Sequence, residues 1–340
     1  MTLIPAGRLL PGLGLALAVA LAATALGGVV PLSEVPIAVL GGLLLANLVP
    51  LGHRVAPGLA FAVRRLLRAG IVLLGAQLSF AAVLAAGQAA LGLVVVLVAA
   101  TLAAMVAAAR LVGLEPRLGL LVAVGTAICG NTAILATAPI IGARDRDVSI
   151  AVATITLFGT AAVFVYPLAG AALGLEPHVF GTWAGTAVND TSQVVAAGFA
   201  YGEEAGQTAT VVKLTRNTLL APVLLVIALW WSREPADAAD GAARVVPRLR
   251  QALPLFVLGF LGMALLNTLG AFDVVLGGVE LAELLAATGR FLVLIALAAV
   301  GLSTHVGPMR EVGPRPLYLG LVGGVCLALA SLGALTLLGI

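Results

Sequence analysis

Apolar runs of about twenty residues alternate along the whole chain with short joints that carry charge, glycine or proline. The runs cover about 8–30, 34–50, 66–86, 89–110, 117–142, 147–174, 178–200, 205–232, 252–271, 279–305 and 315–340. Between them stand joints such as "PLSEVP", "RLVGLEPR", "GARDRD", "LEPH" and "YGEE". A mostly apolar run of about 18 residues or more is long enough to cross a bilayer as a helix. The pattern therefore predicts an all-α polytopic membrane protein of about 10–11 transmembrane helices. The first run exceeds the apolar core of roughly 7–15 residues found in secretory signals, so it reads as a span and not as a cleaved leader.

Composition agrees with the pattern. Of 340 residues, 61% are hydrophobic and 10% charged, and mean hydropathy is +1.17. A soluble domain needs a more charged exterior than this. Cys129 and Cys326 lie in separate apolar runs with no disulfide or metal-ligand spacing. There is no phosphate-binding glycine loop and no histidine-rich helix, so no cofactor and no metal is expected, and the chain does not read as an enzyme. His53, His178 and His305 fall near span ends and read as interfacial residues, as do Trp183, Trp230 and Trp231.

The net charge of +3 gives no reason to expect a nucleic-acid partner. Its distribution speaks to orientation instead. Lys and Arg favour cytoplasmic loops. Arg8, Arg54, Arg64, Arg65, Arg68, Arg110, Arg117, Arg233, Arg244, Arg248, Arg250, Arg310 and Arg315 then fall inside, with only Arg144 and Arg146 opposite them. That predicts a cytoplasmic N-terminus, eleven crossings and a periplasmic C-terminus, in a bacterial inner (cell) membrane; ten crossings with one re-entrant segment is the alternative. The chain reads as one transmembrane domain, 1–340. Helices fill about 1–231, a hydrophilic cytoplasmic linker follows at 232–251, and further helices occupy 252–340. A homodimer is compatible with the sequence.

Two of the apolar runs are interrupted by polar residues at mid-length. "VGTAICGNTAILATAP" (Val124–Pro139) contains Asn131 and Thr132, and "AGTAVNDTSQVVAAGF" (Ala184–Phe199) contains Asn189, Asp190, Thr191, Ser192 and Gln193. At an offset of sixty, Gly125-Thr126-Ala127 aligns with Gly185-Thr186-Ala187, Asn131-Thr132 with Thr191-Ser192, and Gly142 with Gly202. These are two internal repeats, each built around a broken (discontinuous) helix. Breaking a helix in hydrocarbon leaves backbone groups unpaired at several kcal/mol each, so a break survives only against protein or a water-filled cavity. Half-helix N-termini suit anions and unwound carbonyls suit cations. Asn131 or Thr132, and Asp190 or Thr191, are placed to cap the second halves.

Lys213 is the only lysine in the chain, and Arg216 follows it by three residues near the centre of the 205–232 run. Residues three and four apart share a helix face, which puts Lys213, Arg216 and Asn217 on one polar stripe. Charge at that depth is expensive and marks function by default. The aligned residues in the first repeat are Ala153 and Thr156, so the charges belong to the second repeat alone. Two cations on one face call for an anion or a carboxylate beside them. Arg290, with Glu283 seven residues before it, is a secondary candidate for pairing or substrate contact.

Through "CGNTAILATAP", "VATITLFGTAAVFVYPL", "GTWAGTAVNDTSQVVAAGFAYG" and "ATVVKLTRNTLLAPVLL" the chain resembles the YeiH-type family of bacterial inner-membrane proteins. That family is described as sulfate exporters and grouped with the bile acid/arsenite/riboflavin transporter superfamily. The resemblance implies an anion transporter with two inverted five-helix units and crossed broken helices. Two crossings per sixty-residue repeat would make the repeats parallel, whereas the resemblance implies inverted ones. A likeness between "RAGIVLLGAQLS" (Arg68–Ser79) and "GRFLVLIALAAVGLST" (Gly289–Thr304) joins runs of opposite orientation, and both arrangements stay open.

The expected function is secondary active transport of a small anion, sulfate or a related oxyanion or sulfonate, in the direction of export, by alternating access. Substrate-binding candidates are Asn131, Thr132, Asn189, Asp190, Thr191, Ser192, Gln193, Lys213, Arg216 and Asn217. Asp190 is the candidate proton carrier; the coupling ion is H+ or Na+. The alternatives are an anion channel of the same architecture and a Na+/H+-coupled transporter of an organic anion.

Overall fold

A computed structural model describes residues 6–28, 34–231, 255–305 and 313–338. The linker expected at 232–251 lies outside the described residues. The described residues are almost entirely helical: α1 Ala6–Gly27, α2 Glu34–Leu48, α3 Ala56–Phe61, α4 Leu67–Leu74, α5 Phe80–Leu111, α6 Pro116–Ala127, α7 Asn131–Thr137 and α8 Asp145–Ala172. There follow α9 Pro177–Ala187, α10 Thr191–Tyr201, α11 Glu203–Thr218, α12 Leu220–Trp231, α13 Leu255–Thr268, α14 Leu281–Ser303 and α15 Pro314–Leu338. A two-residue-per-strand hairpin pairs Val275 with Glu280 and Leu276 with Val279 ahead of α14.

Among the described residues, six helical segments are long and apolar enough to cross a membrane: 7–27, 83–111, 145–172, 203–231, 281–303 and 314–338. Their outer faces carry exposed leucine and valine, among them Leu21, Leu168, Val226 and Leu329. That is the surface a bilayer covers. The molecule is an all-α polytopic membrane protein.

The described chain divides into two compact units that interleave along the sequence. One takes residues up to 85 and 255–305, the other 86–231 and 313–338. In the first unit, helices approach through paired glycines. A Cβ on Gly12 would fall 2.8 Å from the Cα of Gly58, one on Gly42 3.1 Å from the carbonyl carbon of Gly301, and one on Gly70 2.7 Å from the Gly289 oxygen. Small residues of this kind let membrane helices pack backbone to backbone.

The run expected at 66–86 begins earlier and stops earlier. Pro57 starts α3, a π-turn at Ala62–Leu66 joins it to α4, and a 3₁₀ turn at Gly75–Gln77 ends the stretch before α5. Proline in the first turn is preset for a helix start, a signal outweighed in the sequence by the arginines at 64, 65 and 68. Trp183 is not an interfacial anchor. It is buried, stacks on Tyr166 with ring centroids 4.4 Å apart, and donates its indole N–H to the Ala328 carbonyl at 2.9 Å. Trp230 is exposed as expected and lies under the Arg110 guanidinium.

Candidate functional site

Both interrupted runs break where their polar residues fall, and at aligned positions. α6 ends at Ala127 and α9 at Ala187; α7 begins at Asn131 and α10 at Thr191. Pro116 and Pro177 open the first arms, and the Glu115 carboxylate caps α6 by accepting from the Leu118 amide at 3.1 Å. At the first break Gly130 adopts φ +60° and ψ −126°, and its amide donates back to the Gly125 carbonyl at 3.0 Å. At the second, the Asp190 side chain accepts from the amide and hydroxyl of Ser192, and the Asp190 amide donates to Gln193 Oε1. That is a capping box on α10.

Neither segment runs on through its break. Each folds back. Twenty-five helical residues would extend about 37 Å, yet a Cβ on Gly142 would lie 4.0 Å from a terminal nitrogen of Arg117. Near the tip, a Cβ on Gly125 would lie 2.9 Å from Ile134 Cδ1. At the open end, Arg144 hydrogen-bonds Asp147 and feels the Glu115 carboxylate, which together raise its pKa. The second segment closes likewise: the Tyr201 hydroxyl donates to the Leu175 carbonyl, and the Tyr201 ring stacks on Phe180 at 3.9 Å. The runs at 117–142 and 178–200, expected as crossings, are thus helical hairpins, α6–α7 and α9–α10. This corrects the placing of Arg144 and Arg146, which stand at the same end as Arg117.

One consequence is directly measurable. In a background lacking Cys129 and Cys326, single cysteines replacing Arg117 and Ala143 should react with an impermeant thiol reagent from one face of the membrane. Cysteines replacing Glu176 and Glu204 should react from the other. Labelling of 117 and 143 from opposite faces would restore the crossing.

The two hairpin tips meet. A Cβ on Gly130 would lie 3.1 Å from both Cβ and Oδ2 of Asp190. Against the joined tips α11 presents its two cations, both fully buried at 0% and 1% exposure. The Lys213 ammonium donates to the carbonyls of Ile128 (2.9 Å), Val188 (3.0 Å) and Asn189. Arg216 donates from Nε to Ala127 (3.0 Å), from Nη1 to Val188 (2.9 Å) and from Nη2 to Thr126 (2.6 Å). The acceptors are the last two carbonyls of α6, the C-cap carbonyls of Ile128 and Val188, and the Asn189 carbonyl just beyond α9, groups that a helix end leaves without a partner in its own helix. Each helix end adds roughly half a negative charge. The cations are therefore held by main-chain dipoles, not by acidic side chains, and all three ammonium protons are engaged.

Around this clamp lie the other residues singled out in the sequence. Asn217 donates to Thr191 Oγ1 at 3.2 Å, and Asn131 donates to Thr156 Oγ1 at 3.2 Å. Gln193 reaches the Thr156 carbonyl at 3.4 Å. It lies on bare backbone of α8, where a Cβ at Gly159 would fall 1.8 Å from its Oε1. The side-chain oxygens of Asn131, Asn189 and Asn217 are buried without a hydrogen-bond partner. Buried polar atoms left unpaired are uncommon; among the described residues Thr137 Oγ1, Thr160 Oγ1 and Trp231 Nε1 are in the same position. Thr132 is exposed. Thr156 and Gly159 were not among the expected site residues, although the sixty-residue alignment sets Thr156 opposite Arg216. Arg290 and Glu283 belong to the first unit, where Arg290 donates to Gln77 Oε1 at 3.3 Å. They are not part of this cluster.

Residues 11–320 match the family model described as Conserved hypothetical protein 698. The chain is 41% identical over 307 residues to the UPF0324 membrane protein TauZ of Paracoccus pantotrophus, covering 89% of this chain and 88% of that one. A UPF0324 membrane protein of Streptococcus pyogenes serotype M18 is 35% identical over 341 residues, 98% of each chain. One from Bacillus cereus is 32% identical over 320 residues, 93% of this chain and 91% of the relative. No solved structure matches.

Proposed function

The chain belongs to the Conserved hypothetical protein 698 (UPF0324) family of membrane proteins, and we propose that it is a secondary transporter of a small anion. The supporting observation is the meeting of two oppositely inserted helical hairpins on a buried pair of cations, beside three buried amide oxygens without a hydrogen-bond partner. A hairpin followed by a crossing helix occurs twice: α6–α7 with α8, then α9–α10 with α11–α12. α8 carries the chain from the open end of one hairpin to that of the other. The sixty-residue units are then related by inversion, and alternating access is an exchange between the two hairpins' sides.

Folding back two segments removes two crossings, so the count falls from eleven to nine and the ends keep their sides. Arg144 and Arg146 join the other arginines at the cytoplasmic face, which strengthens the positive-inside bias. The protein sits in the bacterial inner membrane, N-terminus in the cytoplasm and C-terminus outside.

Lys213, Arg216 and the N-termini of α7 and α10 stand against Asp190 and the C-termini of α6 and α9; at about half a charge per helix end this leaves about one positive charge. A monoanion entering beside Asn131, Thr132, Asn189, Thr191 and Asn217 would neutralise it, and a dianion would leave the cluster negative unless a proton came with it. Asp190, at the meeting point of the tips, is the carrier for that proton. The amides of Asn131, Asn189 and Asn217 can turn an N–H towards an anion as readily as they now turn an oxygen inward. Sulfate and sulfonates, as weakly basic anions with three or four acceptor oxygens, suit such a ring of donors.

Proteoliposomes tested with labelled sulfate, sulfite, thiosulfate, taurine and bicarbonate should show saturable uptake of at least one. Acidifying the side the anion enters from should accelerate it. Asn189→Ala removes a donor from the site and an amide oxygen that has no hydrogen-bond partner in the fold. It should raise the half-saturating concentration about tenfold, the equivalent of one hydrogen bond at about 1.4 kcal/mol, with little change in unfolding temperature. Non-saturating, voltage-driven current would instead indicate a channel.

A further inference from the structure

The three carbonyls around Lys213 Nζ make an unusual pocket. Ile128 O and Val188 O come from the C-caps of α6 and α9, and Asn189 O from the unwound residue after α9. They converge from two different hairpins on one point with no water-exposed surface. Unwound carbonyls and half-helix C-termini are the ligands with which membrane proteins hold a bare monovalent cation. Here the point is filled by an ammonium tethered to α11. A neutral amine has two protons to give and this position has three acceptors, so the geometry fits the charged form.

We propose that this is a monovalent-cation site whose occupant is built into the chain, with Lys213 standing permanently where a free Na+ would otherwise bind between the hairpin tips. The proposal builds on the transport reading by assigning what holds the tips together during the cycle. It has two consequences. The protein needs no Na+ to close its tips, so Na+ is not the coupling ion at this cluster. Removing the side chain should also expose a cation site where none is now open. Lys213→Ala deletes Cγ, Cδ, Cε and Nζ, which are the atoms of propylammonium.

The test reads binding, not flux, so it can fail separately from the transport reading. Unfolding midpoints of the purified full-length protein are measured in choline chloride, sodium chloride and propylammonium chloride at equal ionic strength. The wild type should unfold at the same temperature in all three and should bind no radioactive Na+ above a choline background. Lys213→Ala should unfold at a lower temperature in choline. Propylammonium should raise that midpoint saturably, by about 3 °C or more, and Na+ should raise it less. Lys213→Met fills the cavity without charge and should respond to neither ion. Saturable Na+ binding or Na+ stabilisation in the wild type would overturn the proposal, whether or not either variant folds. So would a folded Lys213→Ala that is indifferent to propylammonium, or a Lys213→Met that responds as strongly as Lys213→Ala.

Discussion

Arg216→Ala should lower the free energy of unfolding by about 3–5 kcal/mol. The guanidinium is 1% exposed and satisfies three carbonyls, Thr126 and Ala127 on one hairpin and Val188 on the other. Alanine leaves the Thr126 and Ala127 carbonyls buried and unpaired, and Val188 keeps only its bond from Lys213. Each such group costs about 1–3 kcal/mol, and entry of water into the space left recovers part of the loss. The negative helix ends also lose their counter-charge and are left with Lys213 alone. Arg216→Lys keeps the charge but not the fork. A lysine is a point donor and cannot span carbonyls that the planar guanidinium reaches on three sides, so this variant should fall between alanine and wild type. Denaturant titration in detergent, following helix content, measures both. A loss below about 1 kcal/mol for Arg216→Ala would mean that the carbonyls do not depend on the cation.

The residues of this clamp were visible in the sequence, but their partners were not. A lone lysine and an arginine one turn apart in an apolar run point to a buried polar cluster whatever the fold. What faces them is main-chain carbonyl, and every residue has one. The sequence therefore suggested an anion or a carboxylate beside the cations, where the structure places two helix ends. The breaks were located to within a residue or two, because Asn131 and the 189–193 stretch have no reason to sit in hydrocarbon otherwise. Their fold-back was hidden by length: two arms of about eleven residues read in hydropathy like one crossing of twenty-two. Two crossings per unit would make the sixty-residue repeat parallel; one hairpin and one crossing per unit, as in the proposed arrangement, would make it inverted. Trp183 misled for a different reason. Its ring was assigned to the interface by type, and its place was settled by Tyr166 and the Ala328 carbonyl, neither of them near it in sequence.

Gly130 holds the first tip in its shape, and Gly130→Ala should cost about 2–4 kcal/mol. The backbone there, φ +60° and ψ −126°, is one that a residue with a side chain adopts only under strain of about 1–3 kcal/mol. The added carbon would also stand 3.1 Å from Asp190 Cβ and Oδ2. Asp190 cannot yield freely, because its carboxylate is bonded to Ser192 as the cap of α10, an interaction worth about 0.5–2 kcal/mol. Gly202→Ala supplies the control at the far end of the other hairpin. There φ is 166°, an ordinary extended value, and no atom lies within 4 Å of the new methyl. That variant should stay within about 1 kcal/mol of wild type. The two glycines then separate tip geometry from the general cost of losing a glycine. Transport should separate them further. Ile128, two residues before Gly130, supplies one of the three carbonyls on Lys213, so a shifted tip loosens the cation clamp as well as the fold. Equal stability of the two variants in detergent would show that the tip owes its shape to something other than Gly130.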